Sequence, residues 1–166
     1  MASGKSRVAE QLAAGQPGPV VYLATGSAND GEMRRRIARH RRRRPAAWTT
    51  VEASANLAGV LEPVVEPGAT VLLDDLGFWV TAALLDAARP ALAERRLRAD
   101  ERALWRLMVA RQTVLVAVTS EVGSSLVPTS SLGRDFTDLL GRVNQRWAAA
   151  ATTVALVVAG QIIRVK

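Results

Sequence analysis

Two short runs of nearly uninterrupted apolar residues, Val20-Val21-Tyr22-Leu23-Ala24 and Thr70-Val71-Leu72-Leu73-Asp74, limit what this chain can fold into more than any other feature. A strand with one wet face alternates apolar and polar residues. A run without alternation must be covered on both faces, as in a parallel sheet layered between helices. Thr113 to Thr119 is a third such stretch, strongly β-branched, and Trp48-Thr49-Thr50-Val51 is a shorter one. Helical patterns lie between them: Asp30 to about Arg42, a short piece from Asn56 to Val65 interrupted at Pro63, Trp79 to Ala88, Asp100 to Gln112, and Arg134 to Ala151. Val154 to Val158 and Ile162 to Val165 read as a terminal pair of strands. The alternation predicts an α/β fold with a mostly parallel sheet and helices on both faces. With no internal repeat and no low-complexity linker beyond an arginine run, residues 1–166 read as one domain.

At 166 residues and 49% hydrophobic content, the chain can bury a core and is too apolar to be disordered. It has no cysteine, which removes disulfides and thiolate metal sites and fits a reducing compartment. Neither a secretory pattern nor an apolar run of bilayer length is visible, so a cytoplasmic protein without a membrane span is expected. The net charge of +7 is carried almost entirely by arginine, the only lysines being Lys5 and Lys166. Arg34, Arg35, Arg36, Arg39 and Arg41 to Arg44 fall in one segment. Such a cluster attracts nucleic acid, a nucleoside triphosphate or a phosphorylated substrate, and its sign does not choose among them.

The first residues narrow that choice. A Walker A loop reads G-x-x-x-x-G-K-[ST]: its glycines let backbone N–H groups wrap phosphates, its Lys reaches the β/γ oxygens, and its Ser or Thr holds Mg²⁺. Gly4-Lys5-Ser6 supplies the end of that pattern, without its leading glycine or the strand that should precede it. The tripeptide alone arises by chance, but Arg7 to Ala14 is a good helix-forming run with Val8 and Leu12 at i, i+4, closing at Gly15 and Pro17. A helix opening at Lys5-Ser6 aims its N-terminal dipole and free N–H groups at an anion.

In open α/β sheets, ligands sit at the carboxyl ends of the strands. Asp74 holds that position after Val71-Leu72-Leu73, where a Walker B acid would hold or orient Mg²⁺. Asp74-Asp75 is equally what a simple strand terminator looks like. The pairing with Gly4-Lys5-Ser6 favours the metal reading, with Ser6 and Asp74 as its ligands. The single histidine, His40, shares a helical stripe with Met33 and Ile37, while arginines occupy the other faces. On that stripe it reads as a packed residue. Its alternative is chemical: guanidinium groups favour the neutral, nucleophilic imidazole and also neutralise a phosphate under attack, the arrangement for nucleotidyl transfer through a phosphohistidine-type adduct.

Several separated stretches resemble the bifunctional adenosylcobinamide kinase / adenosylcobinamide-phosphate guanylyltransferase family of cobalamin biosynthesis. They are Ser3-Gly4-Lys5-Ser6-Arg7; Val21-Tyr22-Leu23-Ala24-Thr25-Gly26; Asp30-Gly31-Glu32-Met33 running into Arg36-Ile37-Ala38-Arg39-His40-Arg41 and Arg44-Pro45; Trp48-Thr49 with Glu52; Leu73-Asp74 with Trp79; Glu121-Val122-Gly123 with Val127-Pro128; and Gly141-Arg142-Val143-Asn144-Gln145. They keep the family's order and approximate spacing over nearly the whole chain. The resemblance implies a P-loop fold on which ATP or GTP phosphorylates the side-chain hydroxyl of adenosylcobinamide. GTP then guanylylates a histidine that passes GMP to adenosylcobinamide phosphate. It further implies His40 as the nucleophile, Arg41, Arg42, Arg43 and Arg44 beside the nucleotide phosphates, and Ala24, Thr25, Gly26 and Glu52 against the nucleotide. Gly4, Lys5 and Ser6 would cradle phosphate, Asp74 would serve the phosphate/Mg²⁺ site, and a homo-oligomer, with a trimer in view, is expected.

The family loop reads G-G-x-x-S-G-K-S, so Met1 to Ser6 align with its last six positions. Two glycines and an apolar strand are therefore expected upstream. Without that strand, the sheet would carry unpaired backbone groups at its centre, each costing about 1–3 kcal/mol if buried. Other departures follow. Where the family has Cys-Leu-Thr and later an Asn, this chain has Asp75-Leu76-Gly77 and Ala82; before Glu121, Ser120 replaces the usual Asn. Losing a hydroxyl and two amides near the strand ends is expected to weaken kinase chemistry or corrinoid positioning and to leave guanylylation of His40 possible. Two rivals stay open at the level of sequence. One is an arginine-rich nucleic-acid-binding module, although one Tyr and two Phe offer no stacking platform. The other is an inactive or kinase-only relative; Arg42 and Arg43 individually read as a solvated helix face.

Overall fold

A computed structural model describes residues 3–26, 45–124 and 126–166. Four strands, β1 (Val20–Ala24), β2 (Thr49–Glu52), β3 (Thr70–Asp74) and β4 (Val114–Val118), form one parallel sheet in the order β2-β1-β3-β4. The two unalternating runs are its central strands, each with four buried residues followed by a half-buried one. The edge strands β2 and β4 are more exposed.

Helices cover both faces, as the sequence predicts. On one face, α1 (Lys5–Ala14) buries Ala9 and Ala13 against Val20, Tyr22, Leu72 and Val118. On the other, Val21, Leu23, Val71 and Leu73 join a larger core with α2 (Leu57–Leu61), α3 (Leu76–Asp86), α4 (Pro90–Ala110) and α5 (Ser131–Ala150). Alternate residues of each central strand thus point to opposite layers. The central gap expected from a missing strand is not seen: β3 pairs with β1 on one side and β4 on the other, and the open edges of the described sheet lie at β2 and β4.

Three helix starts differ from the sequence expectation, α5 beginning at Ser131 rather than Arg134 because Ser130 caps it. The helix α3 begins at Leu76, not Trp79, because Asp75 caps it, its Oδ1 accepting from the Phe78 N–H at 3.0 Å. The helix α4 begins at Pro90, ten residues before the expected Asp100, with proline at a first-turn position where no N–H is needed. Asp100 looks like an N-cap, and it does cap a helix, but a different one: its carboxylate accepts from the Leu57 N–H at 2.9 Å and from Trp79 Nε1 at 3.2 Å. The buried stripe Ala93, Leu97, Glu101, Leu104, Met108 runs through the whole of α4, and the acid in its middle hides its continuity.

That acid joins α4 to α5. Glu101 is 2% exposed and accepts from Arg146 Nε and Nη2, both at 2.9 Å, and from Trp147 Nε1 at 3.0 Å. Trp147 meets Trp79 and Trp105 edge to face, with ring centroids 6.2 and 5.9 Å apart. The terminal strands β5 (Ala155–Val158) and β6 (Gln161–Arg164) form a separate antiparallel hairpin. Its two-residue turn, Ala159-Gly160, has φ of 50° and 78°, the left-handed pair that matches strand twist.

Candidate active site

The carboxyl ends of β1 and β3 lie side by side, with Ala24 in register with Asp74. The start of α1 is at the same place. Gly4 precedes α1 in the left-handed region at φ 93°, where a Cβ would stand 3.3 Å from Gly160 Cα, so glycine suits both the dihedral and the space. The i to i−4 ladder begins with the Val8 N–H to the Gly4 carbonyl at 3.1 Å, which leaves the N–H groups of Lys5, Ser6 and Arg7 ahead of it. No acidic residue stands in this first turn, and Gly4 at the N-cap has no side chain to cap it. Two cations at the positive end of a helix dipole oppose local preference, and such conflicts concentrate at binding sites.

The Ser6 hydroxyl donates to Asp74 Oδ1 at 3.3 Å, and the Tyr22 hydroxyl donates to Asp74 Oδ2 at 2.5 Å. Adjacent oxygens on an octahedral Mg²⁺ lie about 2.9 Å apart at its usual bond lengths, so Ser6 Oγ and Asp74 Oδ1 are spaced to share one such ion. Among the described residues no cluster of three or more His, Cys, Asp or Glu could hold a metal. A hydroxyl and one carboxylate fit an ion that keeps water and substrate phosphates as its other ligands.

The neighbouring acid does something else. Asp75 is buried, and desolvation pushes its carboxyl above the ordinary aspartate value; the Phe78 N–H works against the rise, the Asp74 charge adds to it, and the Lys5 charge opposes it. The two acids are placed differently: Asp74 ends the strand and faces Ser6, and Asp75 follows it and caps the helix. Thr25, 3% exposed, donates its hydroxyl to the Asp75 carbonyl at 2.6 Å and its N–H to the Asp74 carbonyl at 3.2 Å, locking the two strand ends together. A Cβ on Gly26 would lie 3.3 Å from the Phe78 ring.

The structure thus gathers Gly4, Lys5, Ser6, Ala24, Thr25, Gly26 and Asp74 at one edge of the sheet. Glu52 ends β2 in register with Ala24, exposed on the same edge but two strands from Asp74, about 10 Å across the sheet. His40, Arg41, Arg42, Arg43 and Arg44 lie outside the described residues. Sequence reasoning missed Tyr22 as a site residue, although it precedes Ala24 by two and so shares its face. It also gave Asn144 no role. Asn144 Nδ2 donates to the Ser120 carbonyl at 2.9 Å, while the Thr119 hydroxyl donates to Asn144 Oδ1 at 2.6 Å, holding the segment after β4 on α5. Because the clamp uses the Ser120 backbone, the departure at that position leaves it intact. Glu121 then accepts from the Gly123 and Ser124 N–H groups and the Ser124 hydroxyl, which holds its carboxyl below the ordinary glutamate value, the Ser124 side chain acting most strongly.

A parallel sheet covered by helices on both faces, with a glycine-lysine-serine helix start meeting an acid at the end of a central strand, defines a protein of the P-loop-like α/β class. The sequence model of the cobinamide kinase / cobinamide phosphate guanyltransferase family matches residues 1–165, and the chain belongs to that family. It is 40% identical to the bifunctional adenosylcobalamin biosynthesis protein CobP of Pseudomonas aeruginosa, across 95% of this chain and 88% of that protein. It is 38% identical to the bifunctional adenosylcobalamin biosynthesis protein CobU of Escherichia coli and 37% identical to that of Salmonella typhimurium, each across 99% of this chain and 94% of the relative.

Proposed function

We propose that this chain performs two successive reactions on a cobinamide-type corrinoid, in its adenosylated form, from a single nucleotide-binding domain spanning residues 1–166. The observation that carries the reading is the meeting of the Lys5-Ser6 helix start with Asp74. In the first reaction, the acceptor hydroxyl oxygen attacks the γ-phosphorus of ATP or GTP. The bond to the β–γ bridging oxygen breaks, the nucleoside diphosphate leaves, and the hydroxyl proton is lost. The N–H groups of Lys5, Ser6 and Arg7, with the Lys5 ammonium, hold the β and γ oxygens, while Tyr22 fixes the Asp74 carboxylate. Ser6 and Asp74 would hold Mg²⁺, which when bound draws negative charge off the leaving oxygens.

In the second reaction, an imidazole nitrogen of His40 attacks the α-phosphorus of GTP, and the bond to pyrophosphate breaks. An oxygen of the corrinoid phosphate then attacks the same phosphorus, restoring His40 and giving cobinamide-GDP. Arg41, Arg42, Arg43 and Arg44 neutralise the phosphates, and Ala24, Thr25, Gly26 and Glu52 contact the nucleotide; these roles, like that of His40, rest on family resemblance. A homo-oligomer, taken as a trimer, belongs to the same reading and is supported by the apolar exposure of Leu156, Val158, Ile162, Ile163 and Val165 on the terminal hairpin. The reading also includes a cytoplasmic location, where nucleoside triphosphates are supplied.

Incubation with Mg²⁺ and GTP labelled at the α-phosphate tests the second reaction. Acid-labile label is expected on the unmodified protein and not on His40→Ala. Label surviving in His40→Ala would remove His40 as the nucleophile.

A further inference from the structure

The terminal hairpin reaches the phosphate loop. The Gly160 N–H donates to the Ser3 carbonyl at 2.9 Å, and Gly160 Cα is the nearest atom to where a side chain on Gly4 would begin, at 3.3 Å. Both glycines sit at positive φ, 93° and 78°. Its two strands are largely exposed and bury little against the rest of the molecule, so they are not held in place by a core of their own. The hairpin is moored at its base instead. The Val154 N–H donates to the Lys166 carbonyl, and the Val165 N–H donates to the Val154 carbonyl at 2.8 Å. The Lys166 ammonium donates to the Ala148, Ala149 and Ala151 carbonyls at 3.2, 3.1 and 2.6 Å, a cation on the negative end of α5.

We propose that Gly160 is a positioning residue for the phosphate loop, fixing Ser3 and the left-handed Gly4 so that the N–H groups of Lys5, Ser6 and Arg7 converge on the nucleotide phosphates. The inference rests on the nucleotide reading of that loop. Gly4 at the N-cap of α1 has no side chain to cap it, so the hydrogen bond from the hairpin tip supplies an order that the N-cap residue does not supply itself. The hairpin and a bound phosphate order the same three or four residues, and two partners that order one segment favour each other. Lys166, at the far end of the hairpin, acts on the loop through that tip.

Gly160→Pro removes the donor and forbids the positive φ, whereas Gly160→Asn keeps the N–H and tolerates the left-handed backbone. Amide hydrogen exchange of residues 4–8 without nucleotide, together with GTP affinity in Mg²⁺, reads the effect. Gly160→Pro is expected to speed exchange in residues 4–8 and weaken GTP binding, each by about fivefold to tenfold, the loss of one hydrogen bond. Gly160→Asn should stay within about twofold of the unmodified protein. Loop exchange and GTP affinity unchanged in Gly160→Pro would overturn the inference. Lys166→Met leaves loop and tip untouched and keeps the test decisive if the proline variant folds poorly. It should loosen residues 155–165 and the loop together, and a frayed hairpin beside an unaltered loop would also overturn the inference. Failure of the unmodified protein to bind GTP would overturn the nucleotide reading instead, while loop exchange in the variants still decides the coupling.

Discussion

The Tyr22 hydroxyl reaches Asp74 Oδ2 from a position 2% exposed within the sheet, so it orients a carboxylate from a buried site. Tyr22→Phe removes that donor and keeps the ring. Partners of this kind typically change metal affinity or activity by about 10–100-fold, so kinase kcat is expected to fall by that order while the KM for corrinoid holds. An unchanged kcat would remove Tyr22 from the site. Asp75 makes a different prediction. Its carboxyl is raised by burial, so the folded protein holds that proton more tightly than the unfolded chain does. The stabilisation is complete below the ordinary aspartate value and is lost as pH rises through the higher folded one. Asp75→Asn keeps the cap and removes the titration. The unmodified protein should therefore lose stability relative to Asp75→Asn across that window, read as urea midpoints against pH, and a pH-independent difference would contradict this origin. The sequence pointed to Asp74 through its place after an apolar run, but it did not show that Asp75 would cap the following helix. Which carboxylate turns toward Ser6 is decided by the strand's alternation and by where α3 begins.

Among the elements, β1 and β3 were legible to the residue because burial on both faces suppresses alternation and leaves the run itself as the signal. The start of α1 at Lys5 was legible too, but those of α3 and α4 were not, because caps act across the fold: Asp100 sits within α4 yet caps α2, and the polar Glu101 interrupts an apolar stripe it belongs to. Glu101 is where α4 and α5 are most exposed to disruption. Glu101→Ala would leave the Arg146 guanidinium and the Trp147 N–H facing a buried gap, with an expected loss of about 3–5 kcal/mol measured by urea unfolding. A loss below about 1 kcal/mol would show that Glu94, 3.5 Å from Arg146, takes over as its partner. The segment after β4 follows the same logic, since Asn144 clamps a backbone carbonyl, and the residue at 120 can vary without releasing it.

Across the whole molecule, the carboxyl ends of the parallel strands collect the Gly4-Lys5-Ser6 start of α1, the acid at the end of β3 and the exposed Glu52, and the tip of the terminal hairpin bonds to Ser3 beside them. No helix among the described residues is long and apolar enough to cross a membrane. The α/β class and the family were legible because short motifs recur in order along nearly all of the chain. The hairpin's contact with the loop was not, because Ser3 and Gly160 lie at opposite ends of the sequence and meet only in the fold. The central claim is that one domain runs two reactions with separable residues: Lys5 in phosphoryl transfer and His40 in guanylyl transfer. Mass analysis of the corrinoid products after incubation of adenosylcobinamide with GTP and Mg²⁺ tests it most directly. The unmodified protein should yield the phosphate and then the GDP derivative, Lys5→Ala should leave the corrinoid unphosphorylated, and His40→Ala should stop at the phosphate. A GDP derivative formed by His40→Ala, or phosphorylation undiminished in Lys5→Ala, would contradict the account.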